Sequence, residues 1–114
     1  MDYLVLSQIM EHALPEADVE IPAWGGRVRV RALSNHEFSR CQSRATNARS
    51  GELDGFKLNV LVVVTGCVEP DMPVTAEAQL MRMEPGPIAR IAERIMELSG
   101  IGEEEPEIDD SGEA

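Results

Sequence analysis

Leu58–Val68, LNVLVVVTGCV, is the most apolar stretch of the chain and carries no charge. Any compact fold must bury it. Its valines favour β structure by propensity, and a short apolar run cannot be assigned by periodicity alone. Its surroundings favour a helix. Phe56, Val60, Val63, Val64 and Cys67 recur at i, i+4, i+7, i+8 and i+11, the spacing of one helical face. Asp54 is placed to cap such a helix, and Pro70 biases Glu69 out of the helical region. Gly66 costs about 1 kcal/mol relative to alanine. The reading is a buried central helix, with a buried strand as its competitor. The run is shorter than the roughly 20 residues that span a membrane.

Outward from this stretch, the chain of 114 residues is long enough for one domain with one core. Residues 1–102 are read as that domain and 103–114 as a disordered acidic tail. The net charge is −11. Seven of the 21 acids fall in residues 103–114, which hold no base, so the body is only mildly acidic. Aromatic residues make up 4%, which points to an aliphatic and methionine core. Two cysteines make no disulfide framework, and the chain reads as reduced and cytosolic. Asp2 and the lack of a basic leading segment do not fit a signal peptide.

Before the central run, Leu6, Ile9, Met10, Ala13 and Leu14 mark a short amphipathic helix ended by Pro15. Such a helix is too short to stand alone and must dock on the fold or on a partner. Val19–Leu33 reads as a β-hairpin. Val19 and Ile21 alternate with polar neighbours, as do Val28 and Val30 with Arg27, Arg29 and Arg31. Gly25-Gly26 is the expected tight turn, and Pro22 suits an edge strand. Ser34-Asn35-His36-Glu37 is a capping box. It opens a helix with Phe38, Cys41, Ala45 and Ala48 inward and Gly51 as its C-terminal cap.

After the run, Thr75 caps a short helix through Met83 that buries Leu80. Pro87 opens a last helix whose inner face is Ile88, Ile91, Ala92, Ile95 and Leu98, with Gly100 as its cap. The expected fold class is therefore α+β: a mostly helical domain with one N-terminal β-hairpin packed on about four helices.

No catalytic constellation emerges. His12, His36, Cys41 and Cys67 lack zinc-ligand spacing. No nucleophile sits in a motif with a base, and no carboxylate is embedded in apolar sequence. The glycines form no phosphate loop. The chain reads as a non-enzyme with no metal or cofactor. Arg27, Arg29 and Arg31 form a basic comb on one strand face. It is either a solvated or partner-contacting face, or a phosphate-binding patch. Trp24 at the hairpin tip either packs back or faces a partner. Methionines near the last two helices, Met81 and Met83 among them, suit core filling or an adaptable surface. The candidate partner-binding residues are thus Trp24, Arg27, Arg29, Arg31, Met81 and Met83.

Three segments carry a family resemblance: VEIPAWGGRVRVRALSNHE (Val19–Glu37), the VEP exit Val68–Pro70, and the helix end IMELSGIG (Ile95–Gly102). In this order the chain resembles the tail assembly chaperones of long-tailed bacteriophages, in the branch of siphophages and phage-like elements of Gram-positive bacteria. From the first of these segments to the last, Val19–Gly102, the likeness spans about three quarters of the chain, and each motif also has a folding explanation.

The resemblance implies a protein of the host bacterial cytoplasm, absent from the mature virion. Its implied partners are the tape measure protein, which it keeps soluble, and tail tube subunits, which it helps recruit. It also implies a longer form made by ribosomal frameshifting, with the acidic tail at the junction. A homo-oligomer is left open, and no membrane partner is implied. The alternatives are a structural tail or neck adaptor of the virion, or a small nucleic-acid-binding regulator using Arg27, Arg29 and Arg31.

Overall fold

The computed structural model describes residues 2–101; the acidic tail lies outside the described residues. Leu58–Gly66 is helical. α3 runs Gly55–Gly66, and the strand reading holds only for the last two residues of the stretch, which open the strand Cys67–Glu69. The Asp54 carboxylate caps α3 by accepting from the backbone N–H groups of Phe56 (3.1 Å) and Lys57 (3.2 Å). Val60, Leu61, Val62, Val63 and Gly66 are buried, so the middle of α3 is enclosed on more than one side.

That enclosure comes from every other major element. α2 (Asn35–Ala45), α4 (Ala76–Leu80) and α5 (Pro85–Leu98) pack on α3, and a sheet closes the remaining side. The sheet has three antiparallel strands in the order β1-β2-β3, formed by Glu16–Ile21, Gly26–Arg31 and Cys67–Glu69. It therefore extends the expected hairpin by one short strand. Val19 faces Val28 across β1 and β2, and with Ile21 and Val30 they form the inner face. α5 adds Ile88, Ile91, Ala92 and Ile95, all buried. The result is a small α+β domain, and no described helix is long and apolar enough to cross a membrane.

The capping box is formed. The Ser34 hydroxyl accepts from the Glu37 N–H at 3.2 Å, and Glu37 Oε1 accepts from the Ser34 N–H at 3.0 Å. Several details depart from expectation. The hairpin turn is a 3-10 turn, Pro22–Trp24, closed by Gly25 at φ 74°. Gly26 already belongs to β2, so Gly25 alone takes the left-handed conformation.

α2 stops at Ala45, because Thr46 turns extended and bridges to Leu53. Ala48 is consequently exposed, and Gly51 shapes the loop instead of capping the helix. Thr75 is itself helical and makes no side-chain cap; α4 ends at Leu80, with Met83 exposed beyond it. α1 is only Leu6–Met10 and buries none of its residues. It does not dock on its own fold.

Gly66 lies where α3, α5 and β2 approach closely. A Cβ there would lie 2.9 Å from Ile95 Cδ1, 3.1 Å from Ile95 Cγ2 and 3.2 Å from the Arg31 carbonyl oxygen. Ile95 is fully buried and has no free direction to yield. Gly66→Ala is expected to destabilise the domain by about 1–3 kcal/mol through overpacking, against the usual helix preference for alanine. Gly55→Ala, where a Cβ meets nothing within 4 Å, is expected to be neutral or slightly stabilising. Urea denaturation of both variants checks the contrast.

Candidate functional site

The segments that cover α3 diverge at its N-terminal end and leave a groove. α3 contributes Phe56, Asn59 and Val60; the end of α4 and the turn after it contribute Leu80, Met81 and Met83; the start of α5 contributes Pro85 and Ile88. The groove holds about 260 Å³. Local sequence explains its shape. Asp54 fixes where α3 begins and sets Phe56 in the first turn. The tight turn after α4 is held by Met83 N–H donating to the Leu80 carbonyl at 3.0 Å. Pro85 then starts α5 with the fixed φ of a first helical position.

Asn59 is the one polar side chain in this lining, and no titratable group belongs to it. Phe56 is 66% exposed and so stands at the rim instead of in the core, where the apolar stripe on α3 had placed it. Val74, also 81% exposed, sits on the neighbouring loop. Such a site binds apolar side chains by removing their surface from water; it offers no acid, base or nucleophile.

Of the candidate residues, Met81 and Met83 lie in the groove and are about half exposed. Trp24 does not join them. It is half-buried at the hairpin turn against the core, with its Nε1 enclosed and lacking a hydrogen-bond partner. The arginine comb is also elsewhere, on the outer sheet face, and it is largely neutralised within the fold.

Register explains why: Glu16, Asp18 and Glu20 stand opposite Arg31, Arg29 and Arg27. Arg29 donates to Glu16 and to Asp18, each at 2.9 Å. Arg27 lies 3.9 Å from Asp18. Arg31 turns inward. Its guanidinium donates to both Glu37 oxygens at 2.9 and 2.8 Å, to the Ala32 carbonyl at 2.9 Å and to the Thr65 carbonyl at 3.2 Å. This is a bidentate, geometrically specific pair joining β2, α2 and α3.

A second cavity, lined by Glu37, Arg40, Cys41, Arg44, Leu61, Val64, Thr65, Val74 and Glu77, includes the Arg44–Glu77 pair at 2.8 Å. Cys41 Sγ there sits 3.6 Å from Thr65 Oγ1, and the hydroxyl donates to the Leu61 carbonyl at 2.8 Å. His36 is exposed while Cys41 is buried, so the two do not meet. Burial pushes the Cys67 thiol up, away from the reactive thiolate. Among the described residues no three His, Cys, Asp or Glu side chains group to hold a metal. Neither the groove nor the pairing of the comb was read from the sequence. The acidic alternation Glu16-x-Asp18-x-Glu20 was a signal for the second, once set antiparallel to the arginines.

Compared with family models, curated proteins and solved structures, the chain matches none.

The Arg31 guanidinium holds the Glu37 carboxyl at about 2, below its ordinary 4.5, with the Ser34 N–H adding to the effect. A folded-state value below the unfolded one contributes stability that is complete above pH 4.5 and is lost as pH falls towards 2. Thermal melts across this window are expected to show a falling Tm for the wild type. In Glu37→Gln the Tm is lower at neutral pH, by the equivalent of about 1–3 kcal/mol for the partner left behind, and this site's share of the acid dependence disappears.

Proposed function

We propose that the chain is a non-enzymatic assembly chaperone of a bacteriophage tail, acting in the host cytoplasm by binding the tape measure protein through the groove at the N-terminal end of α3. The observation that carries this reading is the lining itself: Phe56, Val60, Leu80, Met81, Met83, Pro85 and Ile88, with a single polar residue, Asn59. Amphipathic helices lay apolar anchors at i, i+3, i+4 and i+7 into grooves of this kind. Methionines at a rim adapt to varied apolar partners. A tape measure protein, as a long helical chain with apolar stripes, presents such anchors repeatedly. The net charge of −11 supports solubility of the complex. Recruitment of tail tube subunits and a frameshifted longer form belong to the same proposal.

The sheet arginines support this reading over nucleic-acid binding. Arg29 and Arg31 are engaged by Glu16, Asp18 and Glu37, so displacing those acids is a cost that phosphate contact would have to overcome.

Co-expression with a bacteriophage tape measure protein from the same genome tests the proposal. The expected result is a soluble co-purifying complex that is lost with Met81→Glu/Met83→Glu. Both methionines are about half exposed, and an unchanged melting temperature of the variant shows the fold intact. An insoluble tape measure protein, or a complex indifferent to the variant, overturns the proposal.

A further inference from the structure

The fold leaves two apolar surfaces uncovered, the groove and the N-terminal arm. Tyr3 is 98% exposed, and Leu4, Val5, Leu6, Ile9, Met10 and Leu14 are exposed with it. α1, Leu6–Met10, has its backbone turn closed and its Gln8 side chain accepting from the Val5 N–H at 3.0 Å, yet no residue of it is buried. A helix of five residues is far below the length that is stable in water by itself. It needs a surface.

We propose that in the free protein the arm of one copy seats in the groove of a second copy, and that the exchange is reciprocal. This rests on the groove being a helix-binding site, as in the function proposed above, and names what fills it before another partner arrives.

Three observations support the match. The first is shape. Leu6, Ile9 and Met10 stand at i, i+3 and i+4 on one side of α1. A dry cavity of about 150 Å³ accepts a benzene ring. The groove, at about 260 Å³, has room for roughly two aliphatic side chains.

The second is charge. The arm carries Asp2 and Glu11 and no Lys or Arg. Lys57 and Arg82 adjoin lining residues and make no ion pair among the described residues, while Glu84 is the acid between Met83 and Pro85.

The third is reach. The arm leaves the fold at Pro15, whose carbonyl accepts from the Ala32 N–H at 2.8 Å. The adjacent Arg31 touches Thr65 in the last turn of α3. Phe56 is at the other end of α3, about 14 Å away along the axis at 1.5 Å per residue. Glu11–Pro15 spans about 17 Å when fully stretched. Covering the axial distance would use nearly all of it and leave nothing to round the body of the domain. A second copy meets no such limit, and a reciprocal exchange closes as a two-fold dimer.

Sedimentation of the full chain over a concentration series tests this, with Leu6→Asp/Ile9→Asp as the arm variant and Met81→Glu/Met83→Glu as the groove variant. The arm substitutions touch nothing buried, so an unchanged melting temperature shows the fold intact. The wild type is expected to form a dimer, and each variant to raise the dimer Kd at least about tenfold. The decisive arm is a mixture. Labelled groove variant keeps its own arm, and arm variant keeps its own groove, so these two bind each other through one contact, whereas two arm variants do not. A wild type that stays monomeric up to about 100 μM, above the micromolar range of weak standard interfaces, overturns the inference. So does a dimer that survives either variant, or a mixture in which the two variants fail to bind. Only this chain is present, so a dimer without tape measure binding leaves this inference standing and removes the proposed function, and the reverse outcome does the opposite.

Discussion

A helix with no polar side must be covered on every side, and that constraint shapes the whole domain. The middle of α3 buries Val60, Leu61, Val62 and Val63 in a single turn. An amphipathic helix needs one neighbour; this one needs several. α5 takes the largest share, α2 and α4 flank it, and β2 approaches its C-terminal end. Gly66 permits that last approach, since a Cβ there would lie 3.2 Å from the Arg31 carbonyl oxygen and would also crowd Ile95. Burial of this kind is worth about 25 cal/mol per Å² of apolar surface, and the absence of buried polar or charged residues among those described means little of it is offset by desolvation.

The covering elements are held to one another by polar contacts at the edges of this core. Arg31 is the clearest case: it leaves the sheet, fixes Glu37 in the capping box of α2 and touches the Thr65 carbonyl on α3. Ser99 does the same beside it, accepting from the Leu33 N–H at 2.8 Å while donating to the Ile95 carbonyl at 2.7 Å. Arg90 donates to the Glu20 carbonyl at 3.0 Å and ties α5 to β1. These bonds lie where solvent still reaches, so each contributes modestly to stability. Their geometric role is to fix which element covers which side of α3.

What the sequence revealed and what it hid follow from range. The capping box at Ser34 and the Asp54 cap were legible because each is a bond over two or three residues. The inner face of α5 was legible because Ile88, Ile91, Ala92 and Ile95 share one stripe. Phe56 was misplaced for the opposite reason: on a helix buried on several sides, one stripe does not say which end is covered. β3, Cys67–Glu69, is three residues long and too short to show alternation. The sheet charges needed strand register, which fixes Glu16, Asp18 and Glu20 against the three arginines. The groove needed two stretches distant in sequence, Phe56–Val60 and Leu80–Ile88, and no local pattern announces that.

The groove is the place where covering α3 stops short. α4 is only Ala76–Leu80, and the turn Met81–Glu84 leads away before the first turn of α3 is sealed. Phe56 and Met83 are exposed as a direct consequence. A longer α4 would seal the core and remove the site. Exposed apolar surface weakens solubility, and here it occurs twice, in the arm and in the groove, at opposite ends of α3. A chain that leaves both uncovered is stable as a fold but incomplete as a surface. On the proposals above, an amphipathic helix laid against an apolar channel covers both gaps when it comes from a second copy, and the groove alone when it comes from a longer partner. If both proposals hold, the dimer and the chaperone complex compete for one channel, and binding of a partner helix weakens self-association to the extent that the two occupants exclude each other.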